Sequence, residues 1–189
     1  MTVNIKICGI TDDAALDAAL SDRVPGETRY VGLVFFPKSP RNVDLATAAR
    51  LAQRARGKAQ VVALMVDPDD ELIDKVISAV APDMLQLHGK ETIARIKEIR
   101  QRTSVSIIKA VGVTSADDVA GATSYDAPGV VADLVLFDAK PPADAELPGG
   151  NGLAFDWRIL AEAPGSDEGS GLLNKKFMLS GGLTPDNVA

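Results

Sequence analysis

The run VNIKICGIT at residues 3–11 closes an apolar stretch with a charged lysine, a thiol and a glycine, and Cys8 is the only cysteine in 189 residues. A thiol at a strand end is either a small buried hydrophobe or, as the thiolate, a base or nucleophile. Lys6 would share the strand face of Cys8, because side chains alternate along a strand, and an ammonium there favours the thiolate. Asp138 ends the apolar run DLVLFD. It is suited either to capping the following loop or, held protonated in a partly dry pocket, to acting as a general acid. Arg41, in the proline-rich PKSPR, is either a plain exposed guanidinium or a bidentate receptor for a carboxylate. His88 shares one face of DMLQLH with Gln86, as a hydrogen-bonded structural group or as part of a substrate pocket. Gly181 and Gly182 make either a plain turn or, ahead of the helix start LTPDN, backbone N–H groups for a phosphate.

Such groups need a frame that gathers them. Seven β-rich runs span 3–8, 30–36, 60–66, 83–88, 106–113, 133–138 and 176–181. Several are nearly continuous in apolar residues, as strands covered on both faces are. Between them lie helical patterns. Leu16, Ala19 and Leu20 mark a first helix, and Asp44 caps a second holding Leu45, Ala48, Ala49 and Ala52. Leu72, Ile73, Val76, Ile77 and Val80 form one face of a third, and Ile93 and Ile96 mark a fourth. The polar stretch 112–130, interrupted by Gly and Pro, predicts only a weak helix around 115–121. Two loops are expected, at 139–152 and 163–174, the first on the face where barrel enzymes carry mobile catalytic segments.

Strands alternating with helices mean a (β/α)8 barrel or an open doubly wound sheet. The absence of G-x-G-x-x-G after the first strand counts against a dinucleotide-binding sheet. In a parallel barrel Cys8, Arg41, His88, Asp138 and Gly181–Gly182 all fall at the C-terminal ends of strands, where such enzymes build their sites. The closing TPDNVA reads as the first turn of a seventh helix, with no eighth strand after it.

A formal charge of −6 argues against a general nucleic-acid or anionic-membrane binder and leaves a small anionic substrate open. One Cys cannot form an internal disulfide, and one Cys with one His falls short of a zinc or iron–sulfur ligand set. With no basic segment leading into an apolar run at the N-terminus, and no apolar stretch long enough to span a bilayer, a cytoplasmic location is expected.

KICGIT (6–11), VGLVFFPKSPRNV (31–43), LQLHG (85–89), IKAVGV (108–113), LFDAKPP (136–142), FDW (155–157) and LSGGLTPDNV (179–188) follow one another across the whole chain. In order and spacing they resemble the phosphoribosylanthranilate isomerases. The resemblance implies a (β/α)8 barrel that carries out an Amadori rearrangement in tryptophan biosynthesis with no metal or organic cofactor. It implies Cys8 as general base, Asp138 as general acid, Arg41 on the anthranilate carboxylate, and Gly181 and Gly182 on the phosphate of a phosphosugar substrate. His88 stands beside them as a substrate-pocket residue. Family members continue through an eighth strand, a phosphate loop and a last helix. The expectation is therefore a single domain over 1–189, a TIM barrel C-terminally incomplete and cut within helix seven, as a monomer or homodimer. A metal-using epimerase would need more His ligands, and a neighbouring synthase would need a Lys acid and Glu residues at strand ends. The remaining rival is a non-catalytic phosphosugar-binding or assembly fragment.

Overall fold

A computed structural model describes residues 3–22, 24–125, 132–142, 145, 147–150, 152–162, 177–184 and 186. Seven strands form one sheet: β1 Ile5–Cys8, β2 Arg29–Phe35, β3 Gln60–Met65, β4 Met84–Leu87, β5 Ser106–Val113, β6 Leu134–Ala139 and β7 Phe177–Leu179. Each pairs in parallel with the next, in the unbroken order β1 to β7. A doubly wound sheet reverses its order at a switch point, and this one does not. In a flat sheet β1 and β6 would stand roughly 24 Å apart, at roughly 4.8 Å per step. Yet Cys8 of β1 and Asp138 of β6 line one cavity. The sheet therefore curls, as the strands of a (β/α) barrel do.

The two faces of the curl are both covered, which is why the strands read as apolar runs. Inward-pointing Val62, Met84, Ile108, Ala110 and Leu136 pack together as a plug. Outward-pointing Val31, Leu33, Val61, Ala63, Leu85 and Ile107 pack with the helices. Those helices are α1 Asp13–Leu20, α2 Leu45–Ala55, α3 Asp70–Val80, α4 Ile93–Thr103, α5 Ala116–Ala122 and α6 Arg158–Glu162. They bury Leu16 and Ala19, Ala48, Leu51, Ala52 and Ala55, Ile73, Val76 and Val80, Ile96 and Ile99, and Val119 and Ala122. No helix among the described residues is long and apolar enough to cross a membrane.

Local chemistry starts the helices. Asp12, Asp44, Asp69 and Thr92 each accept a hydrogen bond from the backbone N–H three residues on, at 2.8–3.2 Å. One expectation needed correction, and one short helix went unread. The polar stretch around 115–121 forms a definite helix, because Ser115 and Asp118 make a capping box and Val119 and Ala122 reach the core. The fourth helix lies where Ile93 and Ile96 marked it, with Ile96 and Ile99 buried and Ile93 at its exposed start. The short α6 was not anticipated; Asp156 starts it by accepting from the Arg158 N–H at 3.1 Å, and Leu160 is buried. The expected loop 163–174 lies outside the described residues, as does most of TPDNVA.

The N-terminal ends of the strands are pinned in pairs. Asn4 accepts from the Thr28 N–H at 2.9 Å, ahead of β1 and β2. Asp83, just before β4, accepts from Val61 of β3 at 2.7 Å, and Asp133, just before β6, from Ile107 of β5 at 2.7 Å. Arg100 adds a bidentate grip on Asp133, at 2.7 and 3.0 Å. Burial pushes the Asp133 carboxyl up, but the Arg100 guanidinium and the Ile107 amide outweigh it and hold it below the usual carboxylate range. A carboxyl depressed in the folded state stabilises fully above its unfolded value and loses that contribution as pH falls through the folded one. Asp133→Asn should therefore cost about 1 kcal/mol at neutral pH. Urea unfolding should show the variant and the wild type converging in acid; a gap that stays constant down to strongly acid pH would count against this account.

Candidate active site

At the C-terminal end of the curl lies a cavity of about 100 Å³. Its wall includes Lys6 and Cys8 from β1, Arg41 from the β2–α2 loop, Gln86 and His88 from β4 and its end, and Asp138 from β6. The apolar plug floors it, so the polar groups stand in the top layer of the barrel. Four of the residues expected from sequence, Cys8, Arg41, His88 and Asp138, thus meet at one place.

Each is held by identifiable contacts. Cys8 pairs in register with Gly32 of β2, and a Cβ on Gly32 would lie 2.7 Å from the Cys8 sulfur. Only glycine leaves room for that thiol. Arg41 is aimed by a tight loop: Ser39 N–H donates to Phe36 at 2.8 Å, Asn42 N–H to Ser39 at 3.0 Å, and Val43 N–H returns to Val34 at 3.0 Å. Its Nη1 donates to the Cys8 carbonyl oxygen at 3.3 Å, which ties the guanidinium to the strand bearing the thiol.

His88 and Asp138 meet at the cavity wall, Nε2 to Oδ2 at 3.3 Å. The opposite ring nitrogen, Nδ1, sits 2.9 Å from Nε2 of the buried Gln86. The amide thereby orients the imidazole and the imidazole meets the acid. Asp138 is itself buried, at 5% exposure, and its Oδ1 accepts from the Ala139 N–H at 3.0 Å. Behind His88 the loop is braced by an ion pair sequence reading did not single out. Lys109 Nζ donates to Glu91 at 2.7 Å and to the Gly89 carbonyl at 2.8 Å, while Glu91 accepts from the N–H groups of Gly89 and Asp67. Both charges are buried, so each depends on the other.

The segment 147–150, part of the loop after β6, covers the site. A Cβ on Gly149 would collide with His88 Nε2 and lie 2.7 Å from Asp138 Oδ2, and one on Gly150 would collide with Arg41. The loop was expected on this face, but these two contacts were not; the PGG tripeptide at 148–150 is the signal that could have suggested them. Gly181 and Gly182 are not on the cavity wall. They sit at its rim with φ of +89° and +60°, a left-handed backbone that favours glycine. Gly181 packs on Asp138 and Ala139, Gly182 on Ala154, and the preceding Ser180 lines the cavity.

A curled parallel α/β sheet that gathers a thiol, a carboxyl, an imidazole and a guanidinium at its C-terminal mouth has the architecture of a (β/α)-barrel enzyme. Residues 5–189 match the family model for N-(5'-phosphoribosyl)anthranilate isomerase. The isomerase of that name from Paracoccus denitrificans is 50% identical over 188 residues, covering 100% of this chain and 80% of that one. The crystal structure of the isomerase from Thermotoga maritima is 32% identical with a TM-score of 0.74, covering 99% of this chain and 80% of that one. A further isomerase structure, in complex with reduced 1-(o-carboxyphenylamino)-1-deoxyribulose 5-phosphate, is 30% identical with a TM-score of 0.71 and covers 98% and 79%. The chain belongs to the N-(5'-phosphoribosyl)anthranilate isomerase family.

Crowding at Gly149 gives a direct test of the site's geometry. Gly149→Ala should displace His88 and Asp138 and lower kcat by about tenfold or more, while unfolding free energy changes by less than about 1 kcal/mol. Steady-state kinetics with a urea titration checks both halves; wild-type kcat would mean that the loop does not rest there during turnover.

Proposed function

We infer that this chain catalyses the Amadori rearrangement of N-(5-phosphoribosyl)anthranilate to 1-(2-carboxyphenylamino)-1-deoxyribulose 5-phosphate in tryptophan biosynthesis, with Cys8 as base and Asp138 as acid. The observation that carries the assignment is that thiol and carboxyl share one cavity with an arginine at its side.

Asp138 gives a proton to the ribose ring oxygen as the C1–O bond breaks, leaving an iminium at C1 and a carboxylate on the protein. The iminium acidifies the neighbouring C2–H. The Cys8 thiolate takes that proton, and the C–H electron pair becomes the C1=C2 bond of an enolamine. Protonation at C1 and loss of the C2 hydroxyl proton give the ketone, and two proton exchanges restore thiolate and acid. Atoms balance, as an isomerisation requires. His88 and Gln86 hold the acid in place, and His88 also faces the substrate.

Arg41 receives the anthranilate carboxylate. Its Nη1 is engaged by the Cys8 carbonyl, so the anchor and the base keep a fixed separation. The Gly181–Gly182 turn receives the phosphate at the opposite rim. A cavity of about 100 Å³ is smaller than the roughly 300 Å³ where small-molecule pockets begin. Residues 147–150 form part of its wall and cover it.

Following the loss of substrate fluorescence tests the roles. Cys8→Ala and Asp138→Asn should each lower kcat by about 100-fold or more. Arg41→Lys should mainly raise KM, by about tenfold, because a point charge cannot reproduce the planar fork. Undiminished turnover in either of the first two variants would remove that residue from its role. Tight substrate binding by the wild type without turnover would favour the non-catalytic fragment.

A further inference from the structure

A base that works as a thiolate needs a counter-charge, and the proposed mechanism names none. Arg41 turns its Nη1 to the Cys8 carbonyl oxygen, at 3.3 Å, and is assigned to the substrate carboxylate. His88 and Asp138 are engaged with each other. Lys6 remains. It stands two residues before Cys8 on β1, on the same inward face, and lines the same cavity. Among the described residues it makes no ion pair or hydrogen bond to a side chain.

The α-face of Gly32 locates the two groups relative to each other. A Cβ built there would lie 2.7 Å from the Cys8 sulfur and 3.1 Å from Lys6 Nζ. Both atoms therefore flank one point in space, within about 6 Å of each other, the range over which an opposite charge favours an ionised partner. Lys6 is half-buried, as is Cys8, so water screens their attraction only partly.

We propose that Lys6 is a positioning residue for the base: its ammonium holds Cys8 as the thiolate, in a niche that the missing side chain of Gly32 opens. The inference rests on the reading of Cys8 as base. When the sulfur takes the C2 proton the ion pair is lost, and when the thiol releases that proton the pair reforms. The charge on Lys6 does not change in the cycle.

The sole cysteine makes the test clean, since every thiol signal comes from position 8. Alkylation by iodoacetamide at neutral pH reads the thiolate without reference to turnover. Lys6→Met should slow alkylation by about tenfold or more and lower kcat by a similar factor with KM little changed, while Lys6→Arg should stay within about threefold of wild type in both. Thiolate absorbance near 240 nm in the wild-type protein at neutral pH, expected to be present, decides the matter should Lys6→Met not fold. Wild-type alkylation in a folded Lys6→Met, or no such absorbance in the wild type, overturns the proposal. If Cys8→Ala turns over normally while Lys6→Met still slows alkylation, the base assignment fails and the ion pair stands.

Discussion

Strand direction and register decide where chemistry is possible in this molecule. All seven strands run the same way and pair with their sequence neighbours, so every C-terminal end arrives at one mouth. Alternation then sends Lys6, Cys8, Gln86 and Asp138 inward and their neighbours Ile7, Leu87 and Phe137 outward into the helical layer. Slipping β1 by one residue against β2 would bury Ile7 in the cavity and turn the thiol towards the helices. The Cys8–Gly32 pairing is the point in the ladder where that register meets the chemistry.

The two ends of the barrel treat charge differently. At the N-terminal end the buried Arg29 is matched by Glu27 and by the Ala19 carbonyl, and Asp83 and Asp133 hold backbone amides of neighbouring strands. These groups have partners, and Glu27, Arg29 and Asp83 line a separate pocket at that end. At the mouth the polar groups surround open space. Even there a paired charge does structural duty, since Lys109 and Glu91 fix the loop after His88 from behind the wall. The division leaves the reacting groups available because the Lys109–Glu91 pair that braces them is buried and paired.

Much of this was legible in sequence, for physical reasons. The strands were found to within a few residues because double coverage forces continuous apolar runs, and Asp44 was readable because N-capping is local. Cys8, Arg41, His88 and Asp138 could be placed at one mouth because strand ends converge by topology alone. What escaped depends on tertiary fit. The helix at Ala116–Ala122 looked too polar until its capping box was counted. The pressing of Gly149 on His88 and Asp138, and the pairing of Lys109 with Glu91, join segments far apart in the chain, and no periodicity reports them.

The paired pins at the N-terminal end bear on how the chain reaches this shape. Asn4 binds the approach to β2, Asp83 joins β4 to β3, and Asp133 joins β6 to β5. Each links strands adjacent in sequence, with one helix between them, so each closes only a short loop. Three modules of strand, helix and strand are thus each pinned by a contact of short sequence separation. Folding of this kind draws on nearby contacts and should be quicker than a seven-stranded sheet of distant pairings would allow.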